Sequence, residues 1–129
     1  MTFRSFVRYQ FPLFGWILLI FGLSAIPNVP TVRFIISPDK VVHAGIYFIL
    51  CLFARRAFFH QERFAFLKRH AMIAALLFTI LYGIMDEIHQ IYVPGRTADV
   101  FDALADTVGG LLFVAGFWFW SRRQARKIV

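Results

Sequence analysis

Apolar residues fall in four blocks, at residues 11–26, 41–54, 71–85 and 103–120, with short polar stretches between them. Runs of this kind predict helices that cross a membrane. The second and third blocks are shorter than the roughly 20 helical residues that a bilayer core requires. Counting that length from the basic ends of the blocks carries the second helix back past His43 and Asp39. The same count carries the third forward through Asp86, Glu87 and Gln90, and the fourth back to Asp102. The expected helices therefore lie near 11–27, 38–56, 71–91 and 100–121. They form an all-α integral membrane bundle of four transmembrane helices, read as a single domain over 1–129.

The polar residues between the blocks are sorted by sign. Six of the seven carboxylates (Asp39, Asp86, Glu87, Asp99, Asp102 and Asp106) flank the loops after the first and third blocks. Eleven of the fourteen Lys and Arg lie at the two termini or between the second and third blocks. Basic loops stay on the cytoplasmic side, so both termini are expected inside and the acidic ends outside. The first block, after a basic head with Arg4 and Arg8, reads as an uncleaved signal-anchor helix, because Ser24-Ala25-Ile26-Pro27 is a poor cleavage site. The Pro-rich stretch with Pro27, Pro30 and Pro38 reads as a loop, and the region 58–66, where aromatic and basic residues alternate, as helical segments along the inner surface.

Composition supports a bilayer setting and removes the soluble classes. The mean hydropathy is +0.68, and 60% of residues are apolar against 16% charged, more than a soluble domain of this size can bury. The net charge of +7 does not signal nucleic acid, since the basic residues abut apolar blocks where they meet anionic lipid. The lone Cys51 sits within an apolar run and reads as core filler. Ala105, Gly109 and Gly116 on the fourth helix, and Gly83 on the third, are small enough to allow close helix approach.

Three polar clusters carry candidate chemistry. Asp39, His43 and Tyr47 are spaced by four and share one helix face. A carboxylate beside an imidazole orients it as a base or metal ligand, whereas the plainer alternative makes Asp39 a helix cap and His43 an interfacial residue. Asp86 and Glu87 are adjacent carboxylates able to divide acid and base roles, with Tyr82, Asp86 and Gln90 on one stripe. The alternative is an ion pair with Arg96, beyond the Pro94-Gly95 turn, that closes the hairpin. Asp99, Asp102 and Asp106 lie at i, i+3 and i+7; Asp99 reads as an N-cap, and Asp106 faces Asp39/His43, Arg96 or a cation.

Together these clusters resemble the VanZ-like family of small bacterial membrane proteins. The resemblance rests on Asp39-Lys40-x-x-His43, Asp86-Glu87-x-x-Gln90, Pro94-Gly95-Arg96 and Asp102-x-x-x-Asp106-x-x-Gly109, and covers roughly residues 37–117. One departure is Asp106, where family members often carry Asn. The resemblance implies a multi-pass protein of the bacterial cytoplasmic (inner) membrane, in a family named for a teicoplanin-resistance factor; it supplies no reaction.

The first functional reading is an outward-facing site that binds or modifies a lipid-linked or cell-wall substrate and affects glycopeptide susceptibility. In it Asp39, His43, Asp86 and Glu87 are the catalytic candidates, and Lys40, Gln90, Arg96, Asp102 and Asp106 the substrate-binding ones. Against Arg33, Lys40 and Arg96, the six acids leave a deficit of three positive charges, which a divalent cation would reduce. The second reading is a non-enzymatic protein whose cluster only closes the outer end of the bundle. Transport is disfavoured, because the inner halves of the helices are apolar.

Overall fold

The computed structural model describes residues 3–27 and 38–127. Pro30 and Arg33 lie outside the described residues. The elements are α1 (Phe3–Tyr9), α2 (Phe11–Ser24), α3 (Pro38–His60), α4 (Ala65–Arg69), α5 (Ala71–Gln90) and α6 (Val100–Arg126). The all-helical expectation holds. At 1.5 Å per residue, α3, α5 and α6 measure about 35, 30 and 40 Å, against a hydrocarbon core of about 30 Å. These three are long and apolar enough to span a membrane, and α1 with α2 makes a fourth candidate span if the bent pair is taken as one.

The elements depart from the expected boundaries in instructive ways. The basic head is helical, and α1 meets α2 at a 41° bend. Pro12, at the start of α2, explains the break, because it has no N–H to donate and its ring crowds the preceding turn. Residues 58–66 are shared between two helical segments, the end of α3, which runs on to His60, and the start of α4 at Ala65. α3 continues because Ala54 and Ala57 are buried there and Gln10 donates to the Ala57 carbonyl at 3.0 Å. α6 continues to Arg126 because its final turns carry Arg and Gln, good helix formers.

The packed centre is α3 against α5 and α6, with α2 laid along α3 and α5. Tyr47, Leu50, Cys51, Ala54, Ala57, Ala75 and Phe113 form the buried apolar core with Leu13 and Ile20 of α2. Polar handles fasten α2 to the trio: Trp16 Nε1 donates to the Ile46 carbonyl and Tyr82 Oη to the Ile17 carbonyl, both at 3.0 Å. α3 and α6 approach so closely at Gly109 that an added Cβ would lie 2.2 Å from the Ala44 carbonyl oxygen. Gly110, not singled out in the sequence, is buried against Leu76 and Thr79, whereas Gly116 faces open space.

The outward helix faces are apolar. Val41, Leu77, Leu81, Met85, Leu104 and Leu112 are each more than half exposed. In water that surface would be a large aggregation patch; in a bilayer it meets lipid tails. Polarity is confined to the two ends of the bundle, and the candidate residues gather at one of them.

Candidate functional site

The acidic end is built where the first turns of α3 and α6 meet the last turns of α5. Lys40, in the first turn of α3, is only 6% exposed. Its ammonium donates to Asp99 Oδ2 at 2.9 Å and to Asp102 Oδ1, and lies 3.6 Å from Asp39 Oδ2. Asp99 is also the N-cap of α6, as its position suggested, accepting from the Phe101 N–H at 2.9 Å. Glu87 closes this layer from α5 by accepting the Asp99 N–H at 2.7 Å through Oε2. One lysine thus gathers carboxylates from two helices, and a glutamate from the third holds the start of α6. Burying charge costs several kcal/mol per ion unless partners compensate, and here Lys40 supplies the compensation for Asp99 and Asp102.

One turn deeper, His43 Nδ1 and Asp106 Oδ1 are 2.9 Å apart. Asp106 is fully buried. It fits there because α5 presents Gly83, where a Cβ would lie 2.9 Å from Asp106 Oδ2 and 3.3 Å from Tyr47 Cε1. The glycine makes room for the carboxylate. The carboxylate that orients His43 is therefore Asp106 on α6 and not the neighbouring Asp39. Asp106 Oδ2, Glu87 Oε1 and Tyr47 Oη are all buried without a hydrogen-bond partner.

Beside this layer a cleft of about 260 Å³ opens between α2, α3 and α5. Ile20, Leu23, Ile26, Val42 and Ile46 form its apolar wall; Asp39, His43, Tyr47, Asp86, Gln90 and Arg96 supply its polar groups. Ser24, buried with an unpartnered hydroxyl, also lines it and was not singled out in the sequence. Its only sequence signal is a hydroxyl at the end of an apolar block. Gln90 Nε2 reaches Asp86 Oδ2 at 3.5 Å along α5.

Arg96 does not pair with Asp86 or Glu87. Its Nε donates to the Ile26 carbonyl at 3.1 Å and its Nη2 to the Leu23 carbonyl at 3.0 Å. The last carbonyls of a helix find few donors within it, and a guanidinium at the end of α2 adds donors to Leu23 and to Ile26 just beyond the helix while favouring the negative end of the dipole. Gly95 makes the turn that aims Arg96 there, with φ at 75°, in the left-handed region that glycine tolerates.

The structure thus brings Asp39, Lys40, Asp99 and Asp102 into one cluster. His43, Glu87 and Asp106 form a second, and Asp86, Gln90 and Arg96 line the cleft between α2, α3 and α5. Below them the core is apolar apart from Thr79, whose hydroxyl is turned onto the Ala75 carbonyl at 2.8 Å. The described residues therefore provide no continuous polar path along the bundle.

No curated protein and no solved structure matches the chain. The family model described as VanZ/LLP1 matches residues 2–121, nearly the whole length and every residue of the acidic end. A four-block hydropathy pattern, an all-helical bundle and that match agree: this multi-pass membrane protein belongs to the VanZ/LLP1 family.

Proposed function

We propose that the protein sits in the bacterial cytoplasmic membrane with its acidic end outward, and that the cleft between α2, α3 and α5 receives the polar head of a lipid-linked or cell-wall substrate. The cleft carries this reading: one wall is aliphatic and continuous with the lipid-facing helix surfaces, and the other is polar. A molecule with a polar head and an apolar tail matches both walls. The orientation is supported by the basic residues at the opposite end, which the positive-inside rule keeps in the cytoplasm. Asp106 holds the His43 imidazole at the cleft, and Arg96 brings a cation to its mouth for a phosphate or carboxylate. Capture of such a ligand from the outer leaflet is a route to altered glycopeptide susceptibility.

The test is native mass spectrometry of the detergent-solubilised protein with an added polyprenyl phosphate. Wild-type chains are expected to retain the lipid, and His43→Gln and Asp86→Asn to lose it at unchanged monodispersity. Equal retention by all three would mean ordinary lipid contact.

A second reading is favoured by Lys40. Its ammonium is enclosed by aspartates and out of reach of a ligand, so this layer serves to lock α3 to α6. In that reading the cluster only closes the end of the bundle, and cleft substitutions lower membrane abundance without a separate effect on function.

A further inference from the structure

Two groups of side chains at the acidic end bring potential ligand atoms within 4.8 Å of one another: Asp39, His43 and Asp102, and His43, Glu87 and Asp106. The first is already answered by charge, since Asp39 and Asp102 both lie on the Lys40 ammonium. The second is not. Among the described residues, no ammonium or guanidinium pairs with Glu87 or Asp106. Asp106 is 0% and Glu87 7% exposed, and each has one oxygen buried without a hydrogen-bond partner. Buried carboxylate oxygens normally find a donor, so two orphans in one three-residue group call for a ligand that is a cation.

We infer that His43, Glu87 and Asp106 bind one divalent transition-metal ion, of the Zn²⁺ or Mn²⁺ type, between α3, α5 and α6. Each helix contributes one ligand: a ring nitrogen from α3 and a carboxylate oxygen from each of α5 and α6. Metal–ligand bonds of about 2.0–2.2 Å put the donors of a tetrahedral site roughly 3.3–3.6 Å apart, so ligand atoms lying within 4.8 Å of one another close on an ion with shifts of up to about an ångström. The imidazole sets the metal class, because Mg²⁺ and Ca²⁺ favour all-oxygen shells, whereas Zn²⁺ and Mn²⁺ accept mixed nitrogen and oxygen. Gly83 belongs to the same device: it gives Asp106 Oδ2 its place beside α5, one turn before Glu87.

Three protein ligands leave a coordination position for water or a ligand's oxygen. His43 is shared with the cleft, so a phosphate or carboxylate held there could complete the shell. That connection rests on the proposed function; the ion itself does not.

The experiment uses the full chain, purified in detergent, stripped with EDTA and desalted. Mn²⁺ is titrated under electron paramagnetic resonance, and Zn²⁺ is added as competitor. The wild type is expected to take up about one Mn²⁺ per chain, displaced by Zn²⁺, as a site with no preloaded ion should. Glu87→Gln and Asp106→Asn should lose this uptake, and Glu62→Gln, at the opposite end of the bundle, should keep it. Absence of saturable uptake by the wild type overturns the inference whatever the variants do, as does uptake by Glu87→Gln and Asp106→Asn equal to the wild type. Because no lipid is added, failure here leaves the cleft reading standing, and failure of lipid retention leaves the metal site standing.

Discussion

The two ends of the bundle use charge in opposite ways. At the acidic end, carboxylates and Lys40 are buried and paired across helices, by contacts spanning 59 to 63 residues of sequence. At the basic end, cations lie over rings: Arg55 over Phe117 at 4.0 Å, Arg122 over Trp118 at 3.7 Å and Arg56 over Tyr9 at 5.2 Å. Tyr9 in turn stacks on His60 with ring centroids 3.8 Å apart. A buried pair cannot lose one partner without stranding the other, whereas an arginine over a half-buried or exposed ring can turn to water or to a lipid phosphate. The acidic end is therefore geometrically specified, and the basic end is an adaptable collar.

Substitutions that break this contrast should differ in size accordingly. Lys40→Met should have the largest effect, because it leaves Asp99 and Asp102 buried without their cation. A loss of about 3–5 kcal/mol is expected in denaturant unfolding of the purified protein. Adding Asp102→Leu to Lys40→Met should recover part of that loss, since removing both partners removes the stranded charge. No recovery would mean that Lys40 acts through packing and not through charge.

Gly109→Ala comes next. Its methyl would meet the Ala44 carbonyl at 2.2 Å, forcing α3 and α6 apart at a cost of about 1–3 kcal/mol, read as a lower unfolding midpoint. Gly116→Ala, with nothing nearby, is its control and should be close to neutral. Arg96→Gln should cost about 1 kcal/mol through the two charge-assisted bonds it removes from the Leu23 and Ile26 carbonyls. Amide hydrogen exchange should then rise at residues 23–26 and stay unchanged in α6. At the basic end, Arg122→Ala should cost no more than about 0.5–1 kcal/mol, the value of an exposed cation over a ring.

The sequence already carried the helices and the sorting of charge, because hydropathy and the positive-inside pattern are local signals. It also carried the Asp99 cap, and for Asp106 it offered the Asp39/His43 face, Arg96 or a cation, of which the His43 contact is the one observed. The partner of Arg96 was not legible, because backbone carbonyls at the end of α2 leave no mark in a pattern of side chains. Nor was the enclosure of Lys40, which read as a substrate contact: its burial depends on how far α6 is shifted along α3. That shift is set by the Gly109–Ala44 contact, and glycine spacing alone named Gly116 as readily as it missed Gly110.

As proposed above, the acidic end receives the substrate and the basic end holds the protein in the membrane. The most direct test is teicoplanin susceptibility of a sensitive bacterial host expressing each variant at matched membrane abundance. The wild type is expected to change susceptibility relative to the host without it, His43→Gln and Asp86→Asn to abolish that change, and Arg122→Ala with Arg123→Ala to preserve it. Full activity of the His43 and Asp86 variants, with loss in the arginine variant, would contradict the account.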